Sequence, residues 1–357
     1  MRSEKHSEKL QRNKKIKRLL LGIGLLIFLI IGVIAGYYAY EVREFLRDVN
    51  EDTPEELRDT SEQDDYLRDL HPISFLILGL DLEDDGEATR TDSIMIATVN
   101  PQEESTKIIS IPRDTLITLP GTDEMEKFNA IYPVAGVSGL IDFVEDYLTI
   151  PISFYATLNF EGLVDLVDAV GGITVDSPLS FTVQDSEETA DAIVIEEGIQ
   201  ELNGEEALGY ARMRKQDPRG DFGRQDRQRE VVAAVIEELL SVNTVTNFTP
   251  ILNAIRPNLQ TNMSGQQIMT VATNYGNAAN NIESVVLSGE AEYVYFPSYG
   301  HELYVWNPYE ESLEEARRDL REHLDLEPDF SDMETEDSDE DFDEPSNETL
   351  DEDIIDE

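Results

Sequence analysis

An unbroken apolar stretch from Leu19 to Tyr40 constrains the fold of this chain more than any other feature of its sequence. At about 1.5 Å of helical rise per residue, the stretch is long enough to cross about 30 Å of hydrocarbon. A basic cluster precedes it, formed by Arg12, Lys14, Lys15, Lys17 and Arg18. Because positive charge marks the cytoplasmic side of a membrane segment, we predict a single-pass helix with a cytoplasmic N-terminus and an extracellular remainder.

A cleaved signal peptide is the alternative interpretation of this stretch. Signal peptides have shorter apolar regions that end at a cleavage site of small residues. Here the end of the stretch contains Tyr37, Tyr38 and Tyr40, which suit a membrane interface. We therefore expect a retained anchor in the cell membrane.

Charge is divided unevenly along the chain. The net charge of the chain is −49. Residues 1–18 contribute +6 through eight Lys/Arg and two Glu, so the remaining residues together carry −55. Such a surface repels nucleic-acid phosphates and argues against DNA or RNA as a partner. The chain has no cysteine and only four histidines. Thiolate chemistry is thereby excluded, and any bound metal is expected to be a hard, oxygen-bound cation.

Composition divides the chain into a cytoplasmic tail (1–18), a membrane helix (19–40), a linker (41–72), a folded domain (73–326) and an acidic tail (327–357). In the linker, Leu46, Leu57 and Leu67 are too sparse for a helix that faces a core. In the acidic tail, residues 331–357 contain fifteen Asp/Glu and no Lys or Arg. Such a segment cannot bury enough apolar surface to fold, so we expect it to be disordered.

Short apolar runs alternate with helical patterns from residue 73 onward. The predicted strands are Ile73–Leu80, Ser93–Val99, Lys107–Ile111, Ile152–Asn159 and Tyr293–Phe296. The predicted helices are Ser138–Leu148, Phe160–Val170, Asn203–Arg212, Asp226–Leu240, Asn247–Ile255, Ser264–Ala279 and Tyr309–Leu324. Because the two kinds of element do not alternate strictly, the sequence predicts an α/β fold in which helices cover both faces of a mixed central sheet.

Two acidic motifs lie at ends of predicted strands. Asp81 follows the first strand in a Gly-Leu-Asp sequence, and Asp92 precedes the second in an Arg-Thr-Asp-Ser sequence. Carboxylates at neighbouring strand ends can converge on one hard cation, with Arg90 beside them for phosphate oxygens. Solvated loop carboxylates without a ligand are the alternative.

The same segment also resembles a calcium-binding loop. Asp81, Glu83, Asp85, Gly86 and Asp92 fall at positions 1, 3, 5, 6 and 12 of an EF-hand-like loop. However, position 12 is Asp rather than the longer Glu, and predicted strands rather than helices flank the loop. These departures make calcium binding the weaker interpretation.

Arginine is concentrated in two further segments. Arg113 and Asp114 follow Pro112 at a strand end, where proline fixes the turn that holds them. A surface ion pair of small energetic value is the alternative.

The densest arginine segment runs from residue 210 to residue 229. Arg212 and Arg214 would point to one side of an extended segment, and Arg224, Arg227 and Gln228 would share a helix face. Arginine is the side chain best suited to bidentate phosphate binding, so this concentration within an acidic chain favours a phosphate site. Pairing with the aspartates of the same segment is the alternative.

Taken in order, these motifs resemble those of the LytR-CpsA-Psr family. The motifs are Leu-Gly-Leu-Asp81, Arg90-Thr-Asp92, Ser-Ile-Pro-Arg113-Asp114, Gly171-Gly-Ile, Leu-Asn-Gly204 through Ala207, Arg212-Met-Arg214 and Asp221-x-x-Arg224-x-x-Arg227-Gln228. The resemblance extends from residue 73 to about residue 240 and includes the short cytoplasmic tail and single membrane helix that precede this segment. It departs from the family at Thr91, where serine is usual, and in the acidic tail, which is not a family feature.

The resemblance implies an α/β domain with an apolar tunnel for a polyprenyl chain and a mouth that binds pyrophosphate. It also implies Mg2+ held by Asp81 and Asp92. The predicted phosphate-binding residues are Arg90, Arg113, Arg212, Arg214 and Arg227, to which the helix-face spacing adds Arg224 and Gln228.

The implied activity is transfer of a polyprenyl-pyrophosphate-linked glycopolymer, of teichoic acid or capsule type, to peptidoglycan with release of polyprenyl phosphate. The acceptor in the family is the C6 hydroxyl of a muramic acid residue, which must lose a proton to a base. Asp221 is the first candidate for this base and Asp114 the second. Arg113 is assigned to the catalytic group with them.

Three other functions fit parts of the sequence. The same residues could deliver the phosphoryl group to water, as in a polyprenyl pyrophosphatase. A non-catalytic regulator could bind lipid-linked intermediates without turnover. A calcium-dependent surface protein would depend only on the acidity and on the EF-hand-like loop.

Overall fold

A six-stranded mixed sheet lies at the centre of the computed structural model, which describes residues 61–82, 88–119, 121–185, 189–239, 251 and 254–327. The predicted cytoplasmic tail, membrane helix, acidic tail beyond residue 327 and most of the linker lie outside these residues, as does most of the predicted helix Asn247–Ile255. Within the described ranges, no helix is both long enough and apolar enough to cross a membrane.

The strands are β1 (Ile73–Leu82), β2 (Ala88–Asn100), β3 (Ser105–Ser110), β4 (Leu116–Thr118), β5 (Met125–Lys127), β6 (Phe154–Asn159), β7 (Ile173–Ser177), β8 (Phe181–Val183), β9 (Ile193–Ile195), β10 (Gly198–Leu202), β11 (Leu259–Thr261), β12 (Ile282–Val285), β13 (Gly289–Phe296) and β14 (His301–Pro308). The α-helices are α1 (Ser61–Arg68), α2 (Ile131–Leu148), α3 (Phe160–Val170), α4 (Gly204–Arg212), α5 (Asp221–Leu239), α6 (Gly265–Asn274) and α7 (Glu310–His323). Short 3-10 helices occupy Phe128–Ala130, Arg256–Asn258 and Gly276–Asn280.

The central sheet has the strand order β11-β6-β1-β2-β3-β12. Strand β1 is parallel to β6, strand β3 is parallel to β12, and β2 runs antiparallel to both β1 and β3. The carboxyl ends of β1, β3, β6 and β12 therefore meet at one edge, where β2 begins. In open α/β sheets this is the edge at which ligands usually bind.

Helices cover both faces of this sheet, as the sequence predicts. Because side chains alternate along a strand, Leu76 and Leu78 of β1 face one side, where they share a core with Leu140 of α2 and Leu320 of α7. On the other side, β1 and β2 pack against residues of α5, α6 and α1. The mixed sheet and its two helical layers are thus confirmed.

A second apolar core holds α3, α4 and α5 together with the β7–β10 ladder. Gly204 makes this packing close, because a Cβ atom there would lie 2.4 Å from the Val164 carbonyl oxygen of α3. The Asn203 side chain caps α4 in a capping box with Glu206. The Leu-Asn-Gly motif therefore positions α4, which ends at Arg212.

Three predicted helix boundaries were wrong, and strands β2 and β13 begin at Ala88 and Gly289 rather than at Ser93 and Tyr293. Helix α2 begins at Ile131 rather than at Ser138, with a break at Gly136, whose φ is 67°. Helix α5 begins at Asp221 rather than at Asp226, because its first turn is polar and gives no apolar signal. Helix α6 ends at Asn274 and a 3-10 helix follows it, instead of one helix reaching residue 279.

The predicted exclusion of Leu67 from the core was also wrong. Leu67 lies on α1 and is 1% exposed, in an apolar cluster with Ile73, Phe154 and Tyr275. A single leucine can attach a short helix to the domain when the opposing surface supplies the rest of the apolar core. A periodicity test along one segment does not detect such packing. Residues 61–72 thus belong with the folded domain.

His323, the last residue of α7, is buried and joins this helix to the sheet. Its ring nitrogens form hydrogen bonds with Thr98 Oγ1 at 2.7 Å and Ser105 Oγ at 2.9 Å. Burial, followed by the positive charge of Lys107, lowers the pKa of His323 below its usual 6.5. Nearby carboxylates act in the opposite direction without reversing the shift.

A pH-dependent stability follows from this lowered pKa. The unfolded chain binds the His323 proton more readily than the folded chain, so stability is highest above the unfolded pKa of 6.5 and falls as pH drops from there towards the folded pKa. We expect the Tm of the wild type to fall more between about pH 7 and about pH 5 than that of His323→Gln. Calorimetric scans check the difference, and equal slopes for the two proteins would contradict it.

Candidate active site

The candidate site lies at the sheet edge where β1 and β3 end and β2 begins. Asp81 of β1 and Arg90 of β2 are direct cross-strand partners in the backbone register. Their side chains and residues 83–87 lie outside the described part of the structure, so the EF-hand-like loop stays untested. The predicted proximity of the two motifs is nevertheless present in the backbone.

Asp92 lies on a β-bulge. Gly79 pairs with Ser93 and Leu80 pairs with Thr91, which leaves Asp92 as an extra residue on β2. Bulges near strand ends re-aim side chains, and this one directs the Asp92 carboxylate to the Arg113 guanidinium.

Arg113 and Asp114 occupy the turn after β3. Arg113 Nη1 donates a hydrogen bond to Asp92 Oδ1, and its Nε lies 3.8 Å from Asp114 Oδ2. Burial alone lowers the pKa of Arg113, but the charges of Asp92, Asp114 and Asp221 outweigh burial and raise it. Arg113 is therefore a fixed positive charge among three carboxylates.

Lys127 of β5 is a site residue that sequence reasoning missed. Its Nζ donates a hydrogen bond to Asp114 Oδ1 at 2.6 Å. The only available signal was its rarity, since Lys107, Lys127 and Lys215 are the only lysines after the apolar stretch.

The first turn of α5 forms the opposite side of the cluster. Arg224 Nη2 lies 2.9 Å from Asp221 Oδ1, and Arg214 Nε lies 3.7 Å from the same oxygen. Burial lowers the pKa of Arg224, and the positive charges of Arg113 and Arg214 add to this effect although Asp221 and Asp92 oppose it. The guanidinium groups of Arg113, Arg214 and Arg224 thus lie close enough to affect one another's pKa.

The cluster as a whole combines three carboxylates with four cations, a net charge of +1 before Asp81 and Arg90 are counted. Its members are Asp92, Arg113, Asp114, Lys127, Arg214, Asp221 and Arg224. Within a chain of such negative charge, this locally positive group is the natural place for an anion. Arg224 also keeps a buried Nε that has no hydrogen-bond partner among the described residues.

Arg212 and Arg214 line the same groove beside the cluster, as their spacing predicts. The groove has a volume of about 620 Å³ and also includes Lys215. Arg212 is exposed at the end of α4, with its guanidinium 4.6 Å from the centre of the Phe160 ring. Arg212 thus stacks on Phe160 while remaining exposed to solvent.

Arg227 is held by protein groups in this structure. Its side chain is 1% exposed, Nη1 lies 2.5 Å from Asp217 Oδ2, and the other nitrogens donate to the carbonyl oxygens of Tyr210 and Met213. These contacts fix the segment that carries Arg214. A phosphate contact of Arg227 stays a prediction, as does that of the half-buried Gln228 on the same helix.

Gly223 gives a direct test of this packing. A Cβ atom at this position would lie 1.8 Å from Asp217 Oδ2, and Asp217 is held by Arg227. At an unobstructed helix position Gly→Ala stabilises by about 1 kcal/mol. We expect Gly223→Ala instead to lower the free energy of unfolding by about 1–3 kcal/mol through overpacking. Chemical denaturation measures the sign, and a stabilised variant would contradict the packing described.

Strand β14 closes the remaining side of the site. The Trp306 amide donates to the Asp114 carbonyl oxygen at 2.9 Å. Burial, followed by the negative charges of Asp114 and Asp221, raises the pKa of Tyr304. Sequence reasoning missed both aromatic residues, because they lie far from the motifs along the chain.

These features define a class of protein: an α/β domain with an arginine–aspartate cluster at the carboxyl edge of its mixed sheet. The chain belongs to the LytR-CpsA-Psr family, whose profile matches residues 37–322. This match is longer than the segment in which the motifs were recognised.

Several proteins are similar to most of this chain. A relative from Halalkalibacterium halodurans, named polyisoprenyl-teichoic acid–peptidoglycan teichoic acid transferase TagU, is 36% identical over 315 residues, which cover 87% of this chain and all of the relative. The crystal structure of B. subtilis TagV is 35% identical, with a TM-score of 0.63, over 72% of this chain and 99% of that one. The structure of TagT bound to LI-WTA is 28% identical, with a TM-score of 0.60, over 72% and 92% of the two chains.

Proposed function

We propose that the chain is a membrane-anchored, extracellular phosphotransferase that moves a glycopolymer from a polyprenyl pyrophosphate carrier to peptidoglycan. The observation that carries this proposal is the group of Arg113, Arg214 and Arg224 around three carboxylates at the carboxyl edge of the sheet. The relative TagU, named as a teichoic acid–peptidoglycan transferase, and TagT, solved with LI-WTA, support the same substrate class.

The arginines supply the charge that this reaction needs. A lipid-linked pyrophosphate diester carries about two negative charges, and breaking its P–O–P bridge develops further charge on the leaving polyprenyl phosphate. Guanidinium groups bind such oxygens in a bidentate manner. Arg113 and Arg224 are held by neighbouring carboxylates, so they need little reorganisation when phosphate enters.

The proposed reaction forms one bond and breaks one. The oxygen of an acceptor sugar hydroxyl attacks the phosphorus that carries the glycopolymer, and the bond from this phosphorus to the bridging oxygen breaks. Polyprenyl phosphate leaves with the bridging oxygen, and the hydroxyl proton passes to a carboxylate. Asp221, at the start of α5 between Arg214 and Arg224, is the first candidate for this base, and Asp114 the second.

Magnesium is the cation proposed for the end of β1 and the bulge of β2. Mg2+ is usually held by one or two carboxylates together with substrate phosphate oxygens. Asp81 and Asp92 would be these carboxylates, because Asp81 lies near the end of β1 and Asp92 is the bulge residue of the adjacent strand β2. When bound, the ion would neutralise charge on the pyrophosphate, which complements the arginines.

Anchoring through residues 19–40 would hold the domain at the cell membrane, where a polyprenyl carrier is confined. The acidic ectodomain and the anionic product polymer repel each other at long range, and an anchor offsets this by raising the local concentration of the carrier. Membrane location and the apolar tunnel remain parts of the proposal.

The test is a transfer assay with the full chain in detergent micelles. The protein is incubated with a polyprenyl-pyrophosphate-linked sugar, Mg2+ and peptidoglycan oligomers, and mass spectrometry detects a phosphodiester-linked product. We expect product with the wild type and with the matched control Arg68→Ala, an exposed arginine paired with Asp65 on α1. Asp92→Ala is expected to abolish product. Tight carrier binding without product or released phosphate would instead indicate a regulator.

A further inference from the structure

Strands β13 and β14 form a two-stranded hairpin that is rich in exposed tyrosine. Residues 289–308 contain six aromatic side chains, of which Tyr293 is 68% exposed and Tyr295 is 55% exposed. Soluble domains rarely leave neighbouring large aromatic rings in water unless a partner covers them.

Four of the six aromatic side chains lie in a row on one face of the hairpin. Tyr293 and Tyr304 are direct cross-strand partners with ring centres 5.9 Å apart, and Tyr295 and Trp306 lie two residues along their respective strands. Alternation places all four on the same face. Trp306 is 2% exposed, so the part of the row that is open to a ligand is formed by Tyr293, Tyr295 and the half-buried Tyr304. This part spans about 7 Å at about 3.4 Å per strand residue, which is the length of one or two linked sugar rings.

This row begins at the candidate active site. Trp306 donates its amide hydrogen to the Asp114 carbonyl oxygen, and its ring contacts Phe222, next to Asp221, with centres 6.1 Å apart. Asp114 and Asp221 are also the carboxylates that act on the Tyr304 hydroxyl. A molecule lying along the row would therefore reach the two candidate bases.

Charge indicates which substrate could lie there. The hairpin carries Glu290, Glu292 and Glu302 and no Lys or Arg. The groove on the α4 side of the cluster carries the exposed cations Arg212, Arg214 and Lys215 together with Asp185, Glu205 and Asp217, of which Asp217 is paired with Arg227. An anionic polymer is therefore repelled by the hairpin and meets exposed cations in the groove. An anionic lipid surface would also be repelled by the hairpin. Uncharged sugar rings have an apolar C–H face that stacks on aromatic rings at no electrostatic cost.

We propose that the β13–β14 hairpin is the binding platform for the sugar rings of the acceptor glycan. This inference rests on the proposed transferase function for its biological meaning, but the contact itself can be measured without turnover. Tyr293 and Tyr295 stack on the glycan, and the row aligns its acceptor hydroxyl with the carboxylates of the cluster. Donor polymer and acceptor glycan thus approach from opposite sides.

The test compares the full chain in detergent with its Tyr293→Ala/Tyr295→Ala variant. Calorimetric titration uses neutral β-linked N-acetylglucosamine oligomers as the probe, and we expect the variant to bind about tenfold more weakly. In the transfer assay, the KM for peptidoglycan oligomers rises by a similar factor, whereas kcat and the KM for the lipid donor stay within about twofold. Both rings are exposed, so the fold is expected to tolerate their loss.

Two further variants make the result specific. Tyr293→Phe/Tyr295→Phe keeps the rings and is expected to behave like the wild type. Tyr66→Ala removes a 41% exposed tyrosine on α1 and serves as the matched control. Unchanged oligomer binding in the alanine pair would overturn the proposal. If the wild type fails to transfer but its oligomer binding still depends on these tyrosines, the transferase function fails and the platform stands.

A membrane-facing hairpin is the competing outcome. Trp306 is the one tryptophan in the sequence and is 2% exposed, so a Tyr295→Trp/Trp306→Phe variant moves the single reporter to the exposed end of the row. In vesicles that contain brominated phospholipid, we expect the emission of this variant to match that in unbrominated vesicles. Quenching by the brominated lipid would place the hairpin in the membrane and overturn the glycan assignment.

Discussion

Replacing Arg113 with alanine is expected to lower kcat/KM for glycopolymer transfer by about 10²–10³-fold, the usual effect of removing one preorganised charge from such a site. The Arg113 guanidinium lies between Asp92 and Asp114. Its loss removes the positive charge that would lie next to the substrate phosphate. The two carboxylates are then left to repel the substrate. Steady-state kinetics in the transfer assay measure the effect.

Arg113→Lys separates charge from geometry. Lysine keeps the positive charge but loses the fork that binds two oxygens, so we expect an intermediate loss of rate. Arg68→Ala, which removes a 58% exposed arginine side chain elsewhere, should leave kcat/KM unchanged. A loss smaller than about tenfold in Arg113→Ala would place this residue outside the reacting centre.

Arg227→Met is expected to lower the free energy of unfolding by about 3–5 kcal/mol, because it leaves a buried carboxylate without its partner. Asp217 has a side-chain exposure of 0%, and its contact with Arg227 lowers its pKa even though burial alone would raise it. Thermal unfolding of the full chain, followed by circular dichroism, measures the change.

Two controls identify the cause of this loss. Arg219 also contacts Asp217, but its side chain is 49% exposed, so Arg219→Ala should cost less than about 1 kcal/mol. The double change Arg227→Met/Asp217→Leu removes both charges and should recover most of the lost stability. Wild-type stability in Arg227→Met would contradict a structural role and would favour the predicted phosphate contact.

Sequence reasoning was most successful where local pattern determines structure. The apolar runs predict β1, β2 and β3 with a motif at an end of each, and the family resemblance implies that Asp92 and Arg113 belong to one site. The two residues are in fact joined by a hydrogen bond. The excess of arginine in an acidic chain likewise indicates the cluster formed by Arg214 and Arg224.

The rest of the site depends on contacts between distant segments. Lys127, Tyr304 and Trp306 reach the cluster from β5 and β14, and no local pattern links them to the motifs. Helix-face spacing groups Arg227 with Arg224, but it cannot show that the preceding turn folds back to place Asp217 against Arg227. The burial of Arg227 depends on tertiary contacts, which residue spacing along one helix does not show.

The most direct test of the central claim is whether the phosphoryl group passes to a sugar or to water. The full chain, lipid-linked donor and peptidoglycan oligomers are incubated in water enriched in the heavy oxygen isotope, and mass spectrometry measures the label in every phosphate product. Transfer predicts a phosphodiester-linked glycan and polyprenyl phosphate, both without heavy oxygen. Heavy oxygen in a released sugar phosphate, without linked glycan, would show hydrolysis and contradict the transferase function.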